Sequence, residues 1–408
     1  MKILIVVGFV VPKAAELIGE PKVPYGGWVT SLIDGLKLIS DIDIAVAMKS
    51  YQKKLIKNEH EGITYYFLPS SKFNKIDVYE TDCVKVLEDF KPTLIHAEGA
   101  EVFITYRFFS NYSGIKIISI KGIFSDIQKY EDGNITSINY KFLLYKIFTF
   151  YSKKFRYQKR KLFEQKSYLL ANYVIGRTLY DKSHSFNFNR ELSYFHINES
   201  LRNVFYLNQW NFEKCEKYSI FIGNGSLARK GSHIAIEALR IIIKTYPNTK
   251  LYIVNGKQNS LKDKLTYKGF INYLIRKYHL ENNVVNLGAL NENEMTKLML
   301  KCHVYLLPSF VENSSNTLGE AMIMGMPCVV SYCGGVSSLA EDENEVLFYR
   351  PTDEIMLSYQ ILRIFSNEID IIKLGKAAKS RAEIIYDHKR NTHTLISVYN
   401  KIIVNETN

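Results

Sequence analysis

A chain of 408 residues exceeds the roughly 250–300 residues at which single hydrophobic cores stop growing, so two domains are expected rather than one. Apolar residues make up 47% of it, enough to fill both cores, and the formal charge of +12 calls either for a base composition favouring Lys, Ile, Asn and Tyr or for an anionic partner. Five scattered cysteines, Cys83, Cys215, Cys302, Cys328 and Cys333, form no C-x-x-C pair, which indicates neither a disulfide framework nor a zinc site and fits a reducing cytosol.

Along the chain, the apolar run Lys2–Val11 continues into charged Pro12–Glu20 without a small-residue cleavage pattern, so it predicts a first buried strand and not a secretory leader. Gly26 and Gly27 follow, ahead of a helix expected to begin near Trp28, and offer a side-chain-free approach to a phosphate. Asp41-Ile42-Asp43 matches the D-x-D pattern that holds a divalent ion against a diphosphate. That pattern needs strand exits, whereas these two carboxylates enter a strand; they predict a surface turn and no metal requirement.

Short β-rich runs recur at Ile3–Val7, Ile42–Ala47, Ile63–Leu68, Thr93–His96 and Ile115–Ile120, alternating with helical stretches. A second series begins near residue 215, with Ser219–Ile222, Leu251–Val254, Val284–Leu287, Val304–Leu307 and Pro327–Ser331. Two parallel-sheet domains are therefore expected, one over residues 1–205 and one over 215–386, with Asn203–Cys215 as the crossing. The uncharged run Ala321–Ala340 is long enough to span a bilayer, but Gly325, Pro327, Gly334 and Gly335 break it into helix, strand and turn, so no transmembrane helix is expected.

Chemistry concentrates between Pro308 and Gly335. Glu312 and Glu320 stand eight residues apart across a polar turn that opens a helix, followed by Pro327, a short strand and a Gly-Gly turn. Unsatisfied N–H groups of such a turn, Asn313–Thr317, can point at a pyrophosphate, which makes Ser315, Asn316, Thr317 and Leu318 candidate donor contacts. Glu320 can then accept from ribose hydroxyls and Glu312 from hydroxyls of a sugar being transferred. Arg229 and Lys230 follow the flexible loop Gly223–Ala228 and precede a helix, a place where a cation clamps phosphates. His96 ends a predicted strand, where it either lines a cleft or is a core histidine satisfied by backbone. Lys121 ends the next one, where it meets a donor phosphate, meets an anionic acceptor, or faces solvent. Residues Tyr140–Lys161 hold eight Lys/Arg, eight Phe/Tyr and no acid. A basic aromatic helix of this kind lies on a membrane surface, binds nucleic acid, or buries its rings and solvates its lysines; without a nucleic-acid-binding motif, the membrane reading is preferred.

The segment 308–335 resembles the signature of the family-4 glycosyltransferases, the retaining enzymes of the GT-B fold. IGNGSLARKGSHIAIEAL (Ile222–Leu239), NLGALNENEM (Asn286–Met295) and YGGW (Tyr25–Trp28) stand where that family has its other donor-site elements. Within it, SIKGIFSDIQKY (Ser119–Tyr130), VIGRT (Val174–Thr178) and NESLRNVFY (Asn198–Tyr206) are similar to bacterial surface and capsular polysaccharide transferases. Many members carry an arginine five residues before the clamp lysine, where this chain has Gly225, and Arg229 is the neighbouring substitute.

The resemblance implies an α/β GT-B architecture, with two Rossmann-like domains facing a central cleft and the C-terminal helix 387–404 packed back on the N-terminal, acceptor-binding domain. It implies a cytosolic transferase, peripheral on the membrane, that moves a sugar from a nucleoside diphosphate to a glycan or lipid-linked acceptor, with no cofactor. His96, Lys230 and Glu312 are then the catalytic candidates, Gly26, Gly27 and Arg229 join the donor contacts, and Lys121 lies on the acceptor side. The acceptor hydroxyl attacks the face from which the diphosphate departs, so no protein nucleophile is expected. A nucleotide-sugar epimerase of the same architecture and a non-catalytic basic binding protein are the competing classes.

Overall fold

The computed structural model describes residues 1–21, 23, 26–37, 39, 41–70, 77–135, 157–255 and 266–407. The chain divides into two compact units. One comprises Met1–Ser125, Arg156–Leu201 and Tyr386–Asn408; the other comprises Asp126–Phe155 and Arg202–Ile385. The division falls just ahead of the crossing expected at 203–215, and the stretch beginning at Asp126, expected in the first domain, groups with the second unit.

The first unit is built on an eight-stranded sheet: β1 (Lys2–Val7), β2 (Asp43–Ser50), β3 (Ile56–His60), β4 (Ile63–Pro69), β5 (Leu94–Glu98), β6 (Ile115–Ser119), β7 (Tyr173–Gly176) and β8 (Ser193–His196). Their order is β3-β4-β2-β1-β5-β6-β7-β8, with every neighbouring pair parallel except β3–β4. Strands buried on both faces read as continuous apolar runs, and KILIVV of β1 is one. Its side chains alternate. Ile3, Ile5 and Val7 pack with Val29, Ile33 and Leu36 of the helix Gly27–Leu36 and with Leu395, Tyr399 and Ile402 of the helix His388–Thr407. Leu4 and Val6 face the opposite cluster, with Val86, Phe90 and Phe108.

The second unit carries a six-stranded, all-parallel sheet of β9 (Glu216–Ile222), β10 (Lys250–Val254), β11 (Val284–Leu287), β12 (Cys302–Leu307), β13 (Cys328–Ser331) and β14 (Leu347–Tyr349), in the order β11-β10-β9-β12-β13-β14. The helix Ser232–Ile242 buries Ala235, Ile236, Leu239 and Ile242 at helical spacing. In each sheet the strand order reverses beside the first strand, between β1 and β5 and between β9 and β12. Ligands of open α/β sheets collect at such reversals, outside the carboxyl ends of the strands.

Four strands escaped the sequence reading. β3 (IKNEH) is a polar edge, β7 and β8 have four residues each, and β14 has three. Among the described residues no helix is long and apolar enough to cross a membrane.

Candidate functional site

In the second unit, the two loops at the β9/β12 reversal meet. After β9 the chain enters a single 3-10 turn, Ala228–Lys230, and then Gly231 at φ 73° before the helix Ser232–Ile242. A side chain at Gly231 has no room, since its Cβ would lie 1.8 Å from the Pro308 carbonyl oxygen. This close approach lets Phe310 N–H donate to the Arg229 carbonyl at 2.8 Å. Lys230 Nζ then donates to Glu312 Oε1 at 2.5 Å, and Ser309 Oγ donates to the same oxygen at 2.6 Å. The Gly-Gly turn fixes Glu312 from behind: Gly335 N–H donates to its carbonyl at 2.8 Å, and a Cβ on Gly334 (φ 52°) would come within 2.0 Å of that oxygen.

Ser315 caps the helix Asn316–Ile323, accepting from Leu318 N–H at 3.4 Å, and Tyr305 Oη donates to Thr317 Oγ1 at 2.9 Å. Asn313 Nδ2 and Ser314 Oγ, immediately after Glu312, are buried polar atoms without a hydrogen-bond partner. A buried polar group left unpaired costs roughly 1–3 kcal/mol, so orphans at a helix N-terminus are suited to a ligand's oxygens.

Glu320 lies one turn into the helix and is buried. Both of its oxygens accept from Arg202, Nε to Oε1 and Nη2 to Oε2, each at 2.8 Å. Burial pushes the Glu320 carboxyl up and Arg202 pulls it down; the guanidinium, penalised by burial, is raised by Glu320. Arg229 is likewise paired, its Nη1 donating to Glu131 Oε2 at 2.7 Å. Gly225 is packed so closely that a Cβ would stand 2.3 Å from Ile253 Cγ2, so no arginine fits there without rearrangement.

Gly26, Gly27, His96 and Lys121 belong to the first unit. Gly26 (φ 93°) is the residue before the helix Gly27–Leu36, and the Phe9 ring occupies the space of its missing side chain, 2.5 Å from a built Cβ. His96 ends up inside the sheet, satisfied by side chains rather than backbone: Nδ1 meets Tyr399 Oη at 2.5 Å and Nε2 meets Ser119 Oγ at 2.6 Å. Burial, with the Lys121 charge, lowers its pKa to about 3. Lys121 does not face solvent freely. Its Nζ pairs with Glu199 and with Glu98 Oε2, and although burial works against the ammonium, these carboxylates hold its pKa above the ordinary lysine value. Glu98, in turn, is pushed up by burial, and its Oε2 accepts from Trp28 Nε1 at 3.1 Å. Trp28, His96, Glu98, Lys121, Arg177 and Glu199 line one pocket beyond the carboxyl ends of β5, β6 and β7.

Asp43 opens β2 and Asp41 sits in the turn before it, at the amino ends of the strands. Tyr25 and residues 140–156 of the basic segment 140–161 lie outside the described residues. Sequence reasoning missed Arg202, Ser309 and Glu131. Arg202 sits in the quoted run Asn198–Tyr206, but only the fold brings it to Glu320.

Residues 205–381 match the family model described as glycosyl transferases group 1. The mannosylfructose-phosphate synthase of Agrobacterium fabrum is 22% identical over 168 residues, 41% of this chain and 37% of that protein. Protein CapJ of Staphylococcus aureus is 24% identical over 180 residues, 44% of this chain and 39% of its own length. The chain therefore matches well under half of these curated relatives. Among solved structures, the sucrose-phosphate synthase of Thermosynechococcus elongatus superposes with a TM-score of 0.74 at 14% identity, covering 99% of both chains. HepE of Anabaena in complex with UDP superposes with a TM-score of 0.70 at 15% identity, covering 98% of this chain and 100% of that one. The fold is thus the two-domain, Rossmann-like architecture expected from the sequence.

Proposed function

We infer, from a second unit that matches the group 1 glycosyl transferases, that the chain is a retaining glycosyltransferase using a nucleoside-diphosphate sugar. The observation that carries this reading is the placement of Lys230, Glu312 and the unpartnered Asn313 Nδ2 and Ser314 Oγ on the two loops of the β9/β12 reversal. A pyrophosphate there meets the Lys230 ammonium and the amino end of the helix Asn316–Ile323. Solved HepE in complex with UDP and with UDP-glucose supports this class of donor.

In this reading the diphosphate departs from an oxocarbenium-like sugar, as in glycoside hydrolysis, and Lys230 with the helix-end N–H groups stabilises the charge that develops on it. Glu312, oriented by Lys230 and Ser309, accepts from hydroxyls of the sugar through its second oxygen. Ribose hydroxyls donate to lone pairs of Glu320 that Arg202 leaves open, since each carboxylate oxygen carries two. The acceptor hydroxyl enters on the face the diphosphate leaves, and its proton passes to the departing phosphate. No divalent ion is invoked: Lys230 meets the diphosphate charge, and Asp41 and Asp43 stand at the amino end of β2.

The acceptor is assigned to the first unit, to the pocket of Trp28, His96, Glu98, Lys121, Arg177 and Glu199. An aromatic ring beside carboxylates suits a glycan. A surface-polysaccharide acceptor carried on a lipid agrees with the basic segment 140–161, and the neighbouring helix 157–170 exposes Leu162 and Leu169. Vesicle co-sedimentation with and without anionic lipid tests that attachment.

The transferase reading is tested by incubating the protein with a panel of nucleotide sugars, with and without glycan acceptors and EDTA, and following donor and product by mass spectrometry. Acceptor-dependent release of a nucleoside diphosphate is expected, with EDTA present. Interconversion of the donor without acceptor would make the chain an epimerase, and no turnover with any donor would leave a binding protein.

A further inference from the structure

Building on the donor site just described, we propose that Glu131 and Gly133 are positioning residues for Lys230, and that Arg229 is their anchor rather than a second phosphate ligand. Both come from the chain between β6 and β7 of the first sheet, yet they belong to the second unit. Glu131 Oε2 accepts from Arg229 Nη1 at 2.7 Å, with both side chains about four-fifths buried (20% and 22% exposed). Two residues on, Gly133 has φ 65°, and a Cβ there would lie 2.6 Å from the Ala228 carbonyl oxygen. The backbone of this segment therefore rests directly on the turn that carries Lys230.

The Gly133 carbonyl accepts from His233 Nε2 at 3.0 Å, and Tyr267 Oη lies 2.8 Å from His233 Nδ1. With its pKa lowered to about 4 by burial, His233 is neutral; the proton it donates to Gly133 is on Nε2, and Tyr267 donates to Nδ1. The His233 ring stacks on Phe310 at 5.6 Å and 10°, and Phe310 N–H donates to the Arg229 carbonyl. The contacts close a circuit: Arg229 to Glu131, along the chain to Gly133, to His233, to Phe310 and back to Arg229. Lys230 follows directly on Arg229, so the circuit fixes the backbone from which its ammonium reaches Glu312. Both cations of this turn are ion-paired, Arg229 with Glu131 of the supporting segment and Lys230 with Glu312 of the facing donor loop, so Lys230 is the one held where a diphosphate enters.

A double-mutant cycle on the whole chain separates anchoring from phosphate contact. Glu131→Ala, Arg229→Ala and the double variant are compared for kcat, donor KM and calorimetric affinity for UDP, GDP and ADP. Either single change is expected to lower kcat about tenfold with nucleotide affinity kept within about twofold, and the double variant to be no worse than the singles. Glu131→Gln, which keeps the shape and removes the charge, serves if the alanine variant does not fold, and the exchanged pair Glu131→Arg with Arg229→Glu should recover most of the turnover. Additive losses, or an Arg229→Ala variant that alone loses tenfold or more in nucleotide affinity, would overturn the anchor assignment while leaving the donor site intact. A wild-type chain that binds none of the three nucleotides would overturn the donor site, and the assignment with it.

Discussion

Tyr399 Oη stands 2.5 Å from His96 Nδ1 although 303 residues separate them. The bond ties the helix His388–Thr407 to the middle of β5 and gives the neutral imidazole a defined partner on each nitrogen. Tyr399→Phe keeps the ring and removes the bond, leaving a buried ring nitrogen unpaired. The expected loss is about 1–3 kcal/mol of stability in the first unit, measured by urea unfolding. An unchanged midpoint would mean that His96 is satisfied without Tyr399.

Lys230→Ala is expected to lower turnover roughly 100-fold while weakening nucleotide binding much less, because the ammonium acts most strongly on the charge of the departing diphosphate. Glu312→Ala should also act mainly on turnover. Steady-state kinetics beside calorimetric nucleotide titration distinguishes the two effects; wild-type kcat in both variants would remove this pair from the chemistry.

Glu320→Ala strands the Arg202 guanidinium against the helix Asn316–Ile323. Breaking a buried ion pair from one side costs about 3–5 kcal/mol; with Arg202 about a quarter exposed, the lower end is expected. Differential scanning calorimetry should show the second unit melting earlier, and nucleotide affinity should fall as well. Glu320→Ala with an unchanged melting temperature would contradict the pairing.

Gly231→Ala places a methyl group where the Pro308 carbonyl already stands, at a positive φ that alanine resists. Strain of at least about 1–2 kcal/mol is expected. Because the turn Ala228–Lys230 must move to relieve it, nucleotide affinity should drop along with stability. An alanine variant with native affinity would show that the turn has slack.

Two buried carboxyls give the first unit a pH dependence. Burial pushes Glu101 and Glu164 each up to about 7, and the Glu164 charge adds to the shift at Glu101. Since 7 lies above the ordinary carboxyl value of 4.5, the folded unit holds protons the unfolded chain has released. Their stabilising contribution is complete below about pH 4.5 and is lost as pH rises through about 7. Glu101→Gln removes one of these groups and leaves in place the bonds that Glu164 accepts from Phe124 N–H and Ser125 N–H. Wild type should lose more unfolding free energy than the variant between pH 5 and 8, by on the order of a few kcal/mol. Parallel curves would refute the assignment.

What the sequence displayed was the periodic and the local. Ten of the strands are apolar runs bounded by turn residues, and Glu312, Lys230 and the Gly-Gly turn occupy strand-exit loops that can be read by counting residues. What it concealed was pairing across distance. Nothing near Glu320 names Arg202, 118 residues earlier, and nothing near Arg229 names Glu131, 98 residues away. Lys121 left three readings open because its partners, Glu98 and Glu199, arrive on different strands and loops. The strands β7, β8 and β14 were too short for period-two alternation to register.

The position of the last helix has a consequence for biosynthesis. Leu395, Tyr399 and Ile402 complete the cover that the helix Gly27–Leu36 begins over Ile3, Ile5 and Val7, so a nascent chain that has already made all eight strands still leaves part of that face uncovered. The ribosome must first translate Arg202–Ile385, which at roughly 5–20 residues per second takes on the order of 10–40 s. Throughout that interval the complete sheet keeps an uncovered apolar strip that a chaperone can bind, and a fragment ending near Leu201 would keep it.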